Sequence, residues 1–299
     1  MPSHYPLVSF ITINYIHIKE TINFLESTQK ITYPNVEIIV VDNDSPSGKP
    51  TSELKERFPH VHFIQSEKNL GFAGGNNLGI KAAKGDYYFL LNNDTILYHD
   101  FLEPIVDFME SHPDAGIASP KVLFEDEKTI QYAGAIAINK YTGRGKRLGL
   151  MEQDRGQYDR CYKTDLGHGA ALIIPKKVVD KVGLMPEIYF LYYEEHDWCE
   201  QIKRAGFSMY YLGISKIIHK ESVSTGGDES PLKVYYMTRN RILYMRRNSY
   251  GLAFLAGLVV FTTSTIPKKT FQYLLTGKFN LLKAFFKGIL WNIVNWQTK

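Results

Sequence analysis

Cysteine is scarce. Cys161 and Cys199 are the only two in 299 residues, too few for a disulfide framework, and neither sits in a metal-ligand spacing. A reducing compartment is therefore expected. The opening Met1-Pro2-Ser3-His4-Tyr5 has no charged segment leading into a long apolar run, so no signal peptide is expected. Acidic residues stop at Glu229: the segment 231–299 holds 11 Lys/Arg and no Asp or Glu, while the other 24 Lys/Arg face all 31 Asp/Glu. The overall charge of +4 thus conceals an acidic body and a strongly basic C-terminal segment. No repeat or low-complexity stretch is present, and 20 Tyr and 17 Phe exclude disorder as the general state.

The basic segment is also apolar. Gly251–Ile266 is a run of 16 residues without charge that ends at Pro267-Lys268-Lys269, somewhat short of the ~20 needed to span a bilayer. Beyond it Phe271, Leu274, Leu275, Leu282, Phe285, Phe286, Ile289 and Trp296 alternate with Lys278, Lys283 and Lys287. This pattern predicts amphipathic helices lying in the interface of an anionic membrane. Nucleic acid would demand polar residues between the cations, and is excluded. The alternative is packing of the segment on the body or across a homodimer contact.

The first half alternates apolar runs with amphipathic stretches, which predicts an α/β fold with a mostly parallel sheet. Strands are expected at Leu7–Ile13, Val36–Val41, Val61–Gln65 and Tyr87–Leu91. Helices are expected at Ile18–Lys30, Thr51–Phe58 and Gly74–Ala83, and from an Asp100 N-cap to Ser111. The polar, Gly- and Tyr-rich stretch 124–165 reads as long loops with a hairpin. A strand at Ala170–Ile174, helices at Lys176–Val182 and Glu195–Ala205, short strands at Met209–Leu212 and Ile217–His219, and a helix at Lys233–Arg247 follow.

Ligands of an open parallel sheet bind beyond the carboxyl ends of its strands. There stand Thr12 and Asn14, then Asp42 and Asn43, then Asn92, Asn93 and Asp94. Any one set is an ordinary Asn/Asp turn; three in register along one edge point to a site. Asp94, a carboxylate on a rigid strand end, suits the hard cation that a nucleotide diphosphate requires. The loop Asn69–Gly79 is rich in glycine but has no Lys-Ser/Thr after it, so it is not a P-loop. It is either a ligand cradle ahead of a helix or simply a helix start. The knot Tyr192-Tyr193-Glu194-Glu195-His196-Asp197-Trp198 is either a helix N-terminus complementing its dipole or the source of a general base. His219, ending an apolar strand, reads as structural unless something else supports it.

These stretches, with Val8–Tyr15, Ile39–Ser45, Gly169–Ile174 and Tyr235–Arg241, resemble the inverting family-2 glycosyltransferases, in particular the bacterial rhamnosyltransferase branch. The resemblance covers residues 6–248 in order. It implies a GT-A fold over residues 1–230, with a nucleotide-sugar half to about residue 120 and an acceptor half beyond, followed by the membrane-associating tail 231–299. It assigns Thr12, Asn14, Asp42, Asn43, Asn69, Gly71, Gly74, Asn76, Asn77, Asn92 and Asn93 to the donor. Asp94, Asn92 and His219 become the ligands of Mn²⁺ or Mg²⁺. Glu195 becomes the base with Glu194 and Asp197 beside it, and His168, Gly169, Ala170 and Trp198 line the acceptor side. Two departures stand out: Asn92 replaces the first Asp of the metal motif, and Glu195 stands where the family more often has Asp.

The expected function is inverting transfer of a sugar, rhamnose from dTDP-rhamnose or a hexose from a UDP-hexose, to a lipid-linked or polysaccharide acceptor. The expected location is the cytoplasmic side of the membrane. Two rivals remain: a non-catalytic membrane protein that binds nucleotide sugars, and a sugar nucleotidyltransferase. The second lacks the basic Gly-rich loop it needs near Leu7–Lys19. A glycoside hydrolase built on Glu194 and Asp197 would leave the strand-end set without purpose.

Overall fold

The computed structural model describes residues 5–139, 141–142, 144–220 and 230–298. Residues 1–4, on which most of the signal-peptide reading rests, lie outside them. The N-terminal half runs β1 (Val8–Asn14), α1 (Ile18–Thr28), β2 (Val36–Asp42), α2 (Ser52–Arg57), β3 (Val61–Gln65), α3 (Gly71–Ala82), β4 (Tyr87–Leu91), β5 (Thr95–Leu97) and α4 (Glu103–Ser111). It continues with β6 (Ala115–Leu123), β7 (Ile130–Tyr132), the hairpin β8 (Ala135–Asn139) and β9 (Arg144–Arg147), β10 (Cys161–Thr164), β11 (Ala171–Pro175) and α5 (Lys176–Val182). After a short 3₁₀ turn at Glu187–Tyr189 come α6 (Glu194–Arg204), β12 (Ser208–His219), α7 (Pro231–Asn248), α8 (Gly251–Val260), α9 (Ile266–Leu275) and α10 (Phe279–Val294).

One mixed sheet organises the body, in the order β10-β12-β6-β11-β4-β1-β2-β3. Strands β3, β2, β1 and β4 are parallel, and β11 joins β4 antiparallel. β1, β4 and most of β2 are buried on both faces, as their unbroken apolar sequences require. Phe10, Phe89 and Phe101 meet beneath β1 and β4 with ring centroids 5.8–6.0 Å apart. The register aligns Asn14 with Asp42 and Asp42 with Gln65, so the polar strand ends share one edge.

Three local expectations change. Asp100 is not a cap: α4 starts at Glu103, with Pro104 in its first turn, where a missing N–H costs nothing. The two short strands after Ser208 are one, β12, irregular between Leu212 and Lys216. Gly213 marks that irregularity, because a Cβ there would lie 1.9 Å from the Tyr158 carbonyl oxygen. Pro267 does not stop the apolar helix. A π-helical stretch, Phe261–Thr265, joins α8 to α9 into one 25-residue helix, Gly251–Leu275. The wider π turn accommodates a proline that has no N–H to give.

That helix is long and apolar enough to cross a membrane by length and composition, and only 11% of its most apolar window is buried. α7 and α10 behave differently. α10 packs along α7, with Arg239 stacked on Trp291 at 4.6 Å and Asn292 donating to the Arg239 carbonyl at 2.9 Å. Asn240 of α7 is completely buried in the body.

Candidate active site

The ends of β1 and β2 are tied together by a buried network. Asn14 Nδ2 donates to Asp42 Oδ2 at 2.6 Å and to the Gly48 carbonyl at 2.9 Å, while Thr21 Oγ1 donates to Asn14 Oδ1 at 2.8 Å. Asp42 Oδ1 accepts from the Ser45 amide at 3.0 Å and from Gln65 Nε2 at 2.9 Å. Asn93 joins through Thr21 at 3.0 Å. Asn14 and Asp42 are thus rigid scaffolding for the edge. Thr12 stands apart: its Oγ1 is sealed from solvent and has no hydrogen-bond partner.

The glycine-rich segment is mostly helix, since α3 begins at Gly71, three residues before the expected start. Its glycines serve packing. A Cβ on Gly75 would lie 2.8 Å from Ile13 Cδ1 and one on Gly79 2.3 Å from Ile11 Cγ2, so α3 sits directly on β1. Gly71 has φ +70° and faces the Phe190 carbonyl oxygen, which accepts from the Phe72 amide at 2.7 Å. Gly74 packs against Leu70. Asn43 holds the loop through the Leu70 amide at 2.9 Å, and Asn69 Oδ1 accepts from the Gly71 amide at 2.9 Å. Asn76 donates to its own helix at Phe72, and Asn77 reaches Met185 and Glu187. Close helix–sheet contact therefore accounts for Gly75 and Gly79 by itself.

At the end of β4 a different corner forms. His219 pairs with Thr95 in the β12–β5 ladder, which places its ring over Asn92 and Asp94. Nδ1 of His219 lies 2.7 Å from Gln131 Oε1, an acceptor, which makes Nδ1 the donor there and turns Nε2 toward Asn92 and Asp94. Asn92 Nδ2 lies 3.2 Å from that Nε2. Asp94 Oδ1 lies 3.1 Å from it, is sealed from solvent, and accepts no hydrogen bond. Nε2 of His219 and Oδ1 of Asp94 thus face each other closely enough to ligate one cation between them. Among the described residues no three His, Cys, Asp or Glu side chains gather to hold a metal. A cation here would have these two side chains and the Asn92 amide oxygen as protein ligands, the rest coming from phosphate oxygens and water.

The acidic knot opens α6 and resolves into three environments. Asp197 is fully buried and accepts from Arg247 Nε and Asn248 Nδ2, each at 2.7 Å, so it fastens α6 to α7. Trp198 has no exposed surface and donates to the Gly183 carbonyl at 3.0 Å. Neither has a free face for chemistry or for an acceptor. Glu194 is only 2% exposed; burial first, then the neighbouring Glu195 charge, pushes its carboxyl well above the ordinary range. Glu195 keeps 17% of its side chain open. Burial pushes its carboxyl up, but His196, with Nδ1 3.1 Å away, and backbone hydrogen bonds outweigh this and hold it below the ordinary range. Glu195 is thus the ionised member of the pair.

The loop His168–Ala170 lies against that carboxylate. A Cβ on Gly169 would sit 3.5 Å from Glu195 Oε1, and the Ala170 carbonyl accepts from the Asn92 amide at 3.0 Å. One short segment therefore joins Glu195 to the Asp94–His219 corner. His168 stands at its start, 6.0 Å from the His219 ring; burial above all holds its imidazole well below the ordinary histidine range.

Sequence reasoning attached no role to Arg239 and Asn240. Phe190, Tyr192 and Tyr193 all have positive φ, at 65°, 69° and 76°, a costly conformation just before Glu194. Asn240 Nδ2 is directed at the carbonyls of Tyr189, Leu191 and Tyr192 at 3.0, 2.7 and 2.8 Å, and Arg239 Nη2 at those of Ile188 and Tyr189. Helix α7 thus pins the strained turn that aims Glu195. Asn240→Ala should cost about 3 kcal/mol of stability by orphaning buried carbonyls. It should also lower kcat more than it changes the donor KM; a denaturant midpoint and steady-state kinetics measure both.

Residues 9–183 match the family model described as glycosyl transferase family 2. The chain belongs to that family. As a glycosyltransferase it is similar to the low-salt glycan biosynthesis hexosyltransferase Agl10 of Haloferax volcanii, with 27% identity over 79% of this chain and 74% of that one. It is 27% identical to the dTDP-rhamnosyl transferase RfbF of Shigella flexneri over 76% of this chain and 77% of that one. It is 24% identical to the N-acetylglucosaminyl-diphospho-decaprenol L-rhamnosyltransferase of Mycobacterium tuberculosis over 69% and 73%. Among solved structures, GalNAc-T7 with UDP, GalNAc and Mn²⁺ matches with TM-score 0.63 at 16% identity, covering 83% of this chain and 52% of that one. The mannosyltransferase PcManGT from Pyrobaculum calidifontis, in complex with GDP-Man and Mn²⁺, matches with TM-score 0.61 at 13% identity over 100% of this chain and 89% of that one. These likenesses establish the GT-A fold.

Proposed function

We propose that this glycosyltransferase moves a sugar, rhamnose in the first instance, from a nucleotide diphosphate to a lipid-linked glycan, with inversion. The observation that carries the reading is the pairing of two corners. An ionised Glu195 lies against Gly169, and the next residue, Ala170, holds the strand end that presents Asp94 to His219. Relatives named as dTDP-rhamnosyl and prenyl-diphosphate-sugar rhamnosyltransferases support the choice of donor and acceptor class.

Glu195 takes the proton from an acceptor hydroxyl as its oxygen attacks the anomeric carbon. The bond to the diphosphate breaks on the opposite face, and its electron pair leaves with the diphosphate. Asp94, His219 and the Asn92 amide would hold Mn²⁺ or Mg²⁺, which supplies charge neutralisation for the leaving group. Asn14, Asp42 and Asn43 keep the donor edge rigid. Arg239 and Asn240 keep Glu195 aimed.

The helix Gly251–Leu275 and the exposed Phe271, Leu275, Phe279 and Trp296 support attachment to the cytoplasmic face of a membrane. Full-length protein should float with anionic phospholipid vesicles; protein left at the bottom of the gradient contradicts the attachment. A donor panel of dTDP-rhamnose and UDP-hexoses with Mn²⁺ and a lipid extract tests the activity. A lipid product heavier by one deoxyhexose is expected, and donor turnover without a glycolipid product contradicts it.

A further inference from the structure

Arg241 is a buried cation without an anion. It is 7% exposed; its Nε donates to the Thr142 carbonyl at 2.7 Å, its Nη1 lies 3.4 Å from Thr265 Oγ1, and its guanidinium stands over the Phe261 ring. No carboxylate pairs with it among the described residues. Burial pulls it down to about 10; Tyr193 opposes the shift and the positive charge of nearby Arg144 adds to it. Arg144 belongs to β9, whose Arg-Gly-Lys-Arg sequence is wholly exposed and makes no ion pair among the described residues. A guanidinium buried without a counter-charge, as Arg241 is, would be stabilised by an anion bound beside it.

The position of this cluster suggests which anion. A Cβ on Gly145 would meet Leu166 at 3.6 Å, and Ala135 of β8 accepts from the Asp165 amide at 3.1 Å, so the hairpin lies beside the loop leading to His168 and Gly169. On the other side of Arg241, Phe261 and Thr265 belong to the apolar helix Gly251–Leu275. The cations therefore stand between the carboxylate that meets the acceptor sugar and the surface suited to lipid. The donor's diphosphate has its own place at Asp94 and His219.

We propose that Arg241 and Arg144 form a cradle for the diphosphate that links the acceptor sugar to its lipid. This rests on the lipid-linked acceptor reading above. Two cations on one diphosphate match the charge-assisted contacts that fix such groups.

Titration calorimetry on the full-length protein in detergent tests it with farnesyl diphosphate and farnesol. The wild type should bind the diphosphate at least about ten-fold more tightly than the alcohol. The exposed variant Arg144→Gln, and separately Arg241→Gln, should lose that preference about ten-fold without changing the dissociation constant of the nucleotide sugar measured with Mn²⁺. Arg144→Gln alters only a surface side chain, so it guards against misfolding of the buried substitution. An unchanged preference in Arg144→Gln, or farnesyl diphosphate that simply displaces the nucleotide sugar, overturns the cradle. Absence of nucleotide-sugar binding in the wild type instead overturns the transferase reading beneath it.

Discussion

Glu195→Gln is expected to lower the transfer rate by about 10³-fold while leaving donor binding intact, because a positioned base contributes on the order of 10²–10⁴. Glu195→Asp should recover part of the rate, since it keeps the charge and shortens the reach by one methylene. Glu194→Gln is the informative contrast. Glu194 is held protonated by burial and by the Glu195 charge, so a neutral amide reproduces its working state and transfer should persist. Stability gives an independent sign. A carboxyl whose folded value is raised contributes stability that is complete below its unfolded range and is lost as pH rises through the folded value. Glu194→Gln should therefore melt above wild type by a margin that widens from pH 5 to pH 8. Loss of transfer in Glu194→Gln together with its retention in Glu195→Gln would exchange the two roles.

Asp94→Asn should be as damaging to the rate, by roughly 10³-fold or more, because it removes the carboxylate charge that the proposed metal would need. Its effect on folding should run the other way. Oδ1 of Asp94 is buried without a hydrogen bond, 3.1 Å from His219 Nε2. Neutralising it relieves an uncompensated desolvation, so the variant should melt at or above the wild-type temperature without metal. Added Mn²⁺ should raise the melting temperature of the wild type and not of Asp94→Asn. A variant that loses activity by unfolding, or one that keeps its Mn²⁺ shift, would remove Asp94 from the site.

The parallel half was legible because strands buried on both faces leave continuous apolar runs: β3 and β4 fall at the expected residues, and β1 and β2 within one residue. What stayed hidden depended on partners far along the chain. Gly75 and Gly79 looked like a ligand cradle, but Ile13 and Ile11 of a strand some 65 residues earlier account for them. Asp197 and Trp198 looked like site residues by adjacency to Glu195; the 3.6-residue helical period turns them instead toward α7 and the core. Asn240 carries no sequence signal of its role, because its three acceptors are backbone carbonyls some 50 residues away. Pro267 marked a stop that the π turn removes. The Asp94–His219 corner was partly legible: Asp94 declared itself at a strand end, whereas His219 needed the β12–β5 pairing to reach it.

The central claim is metal-assisted displacement by a carboxylate-activated hydroxyl at the Asp94–Glu195 site. Nuclear magnetic resonance of the product formed from a nucleotide sugar of known anomeric configuration, with and without EDTA, tests it most directly. The account predicts a glycosidic bond of opposite configuration whose formation stops in EDTA and resumes with Mn²⁺. A product with retained configuration, or one formed at the same rate in EDTA, would contradict it.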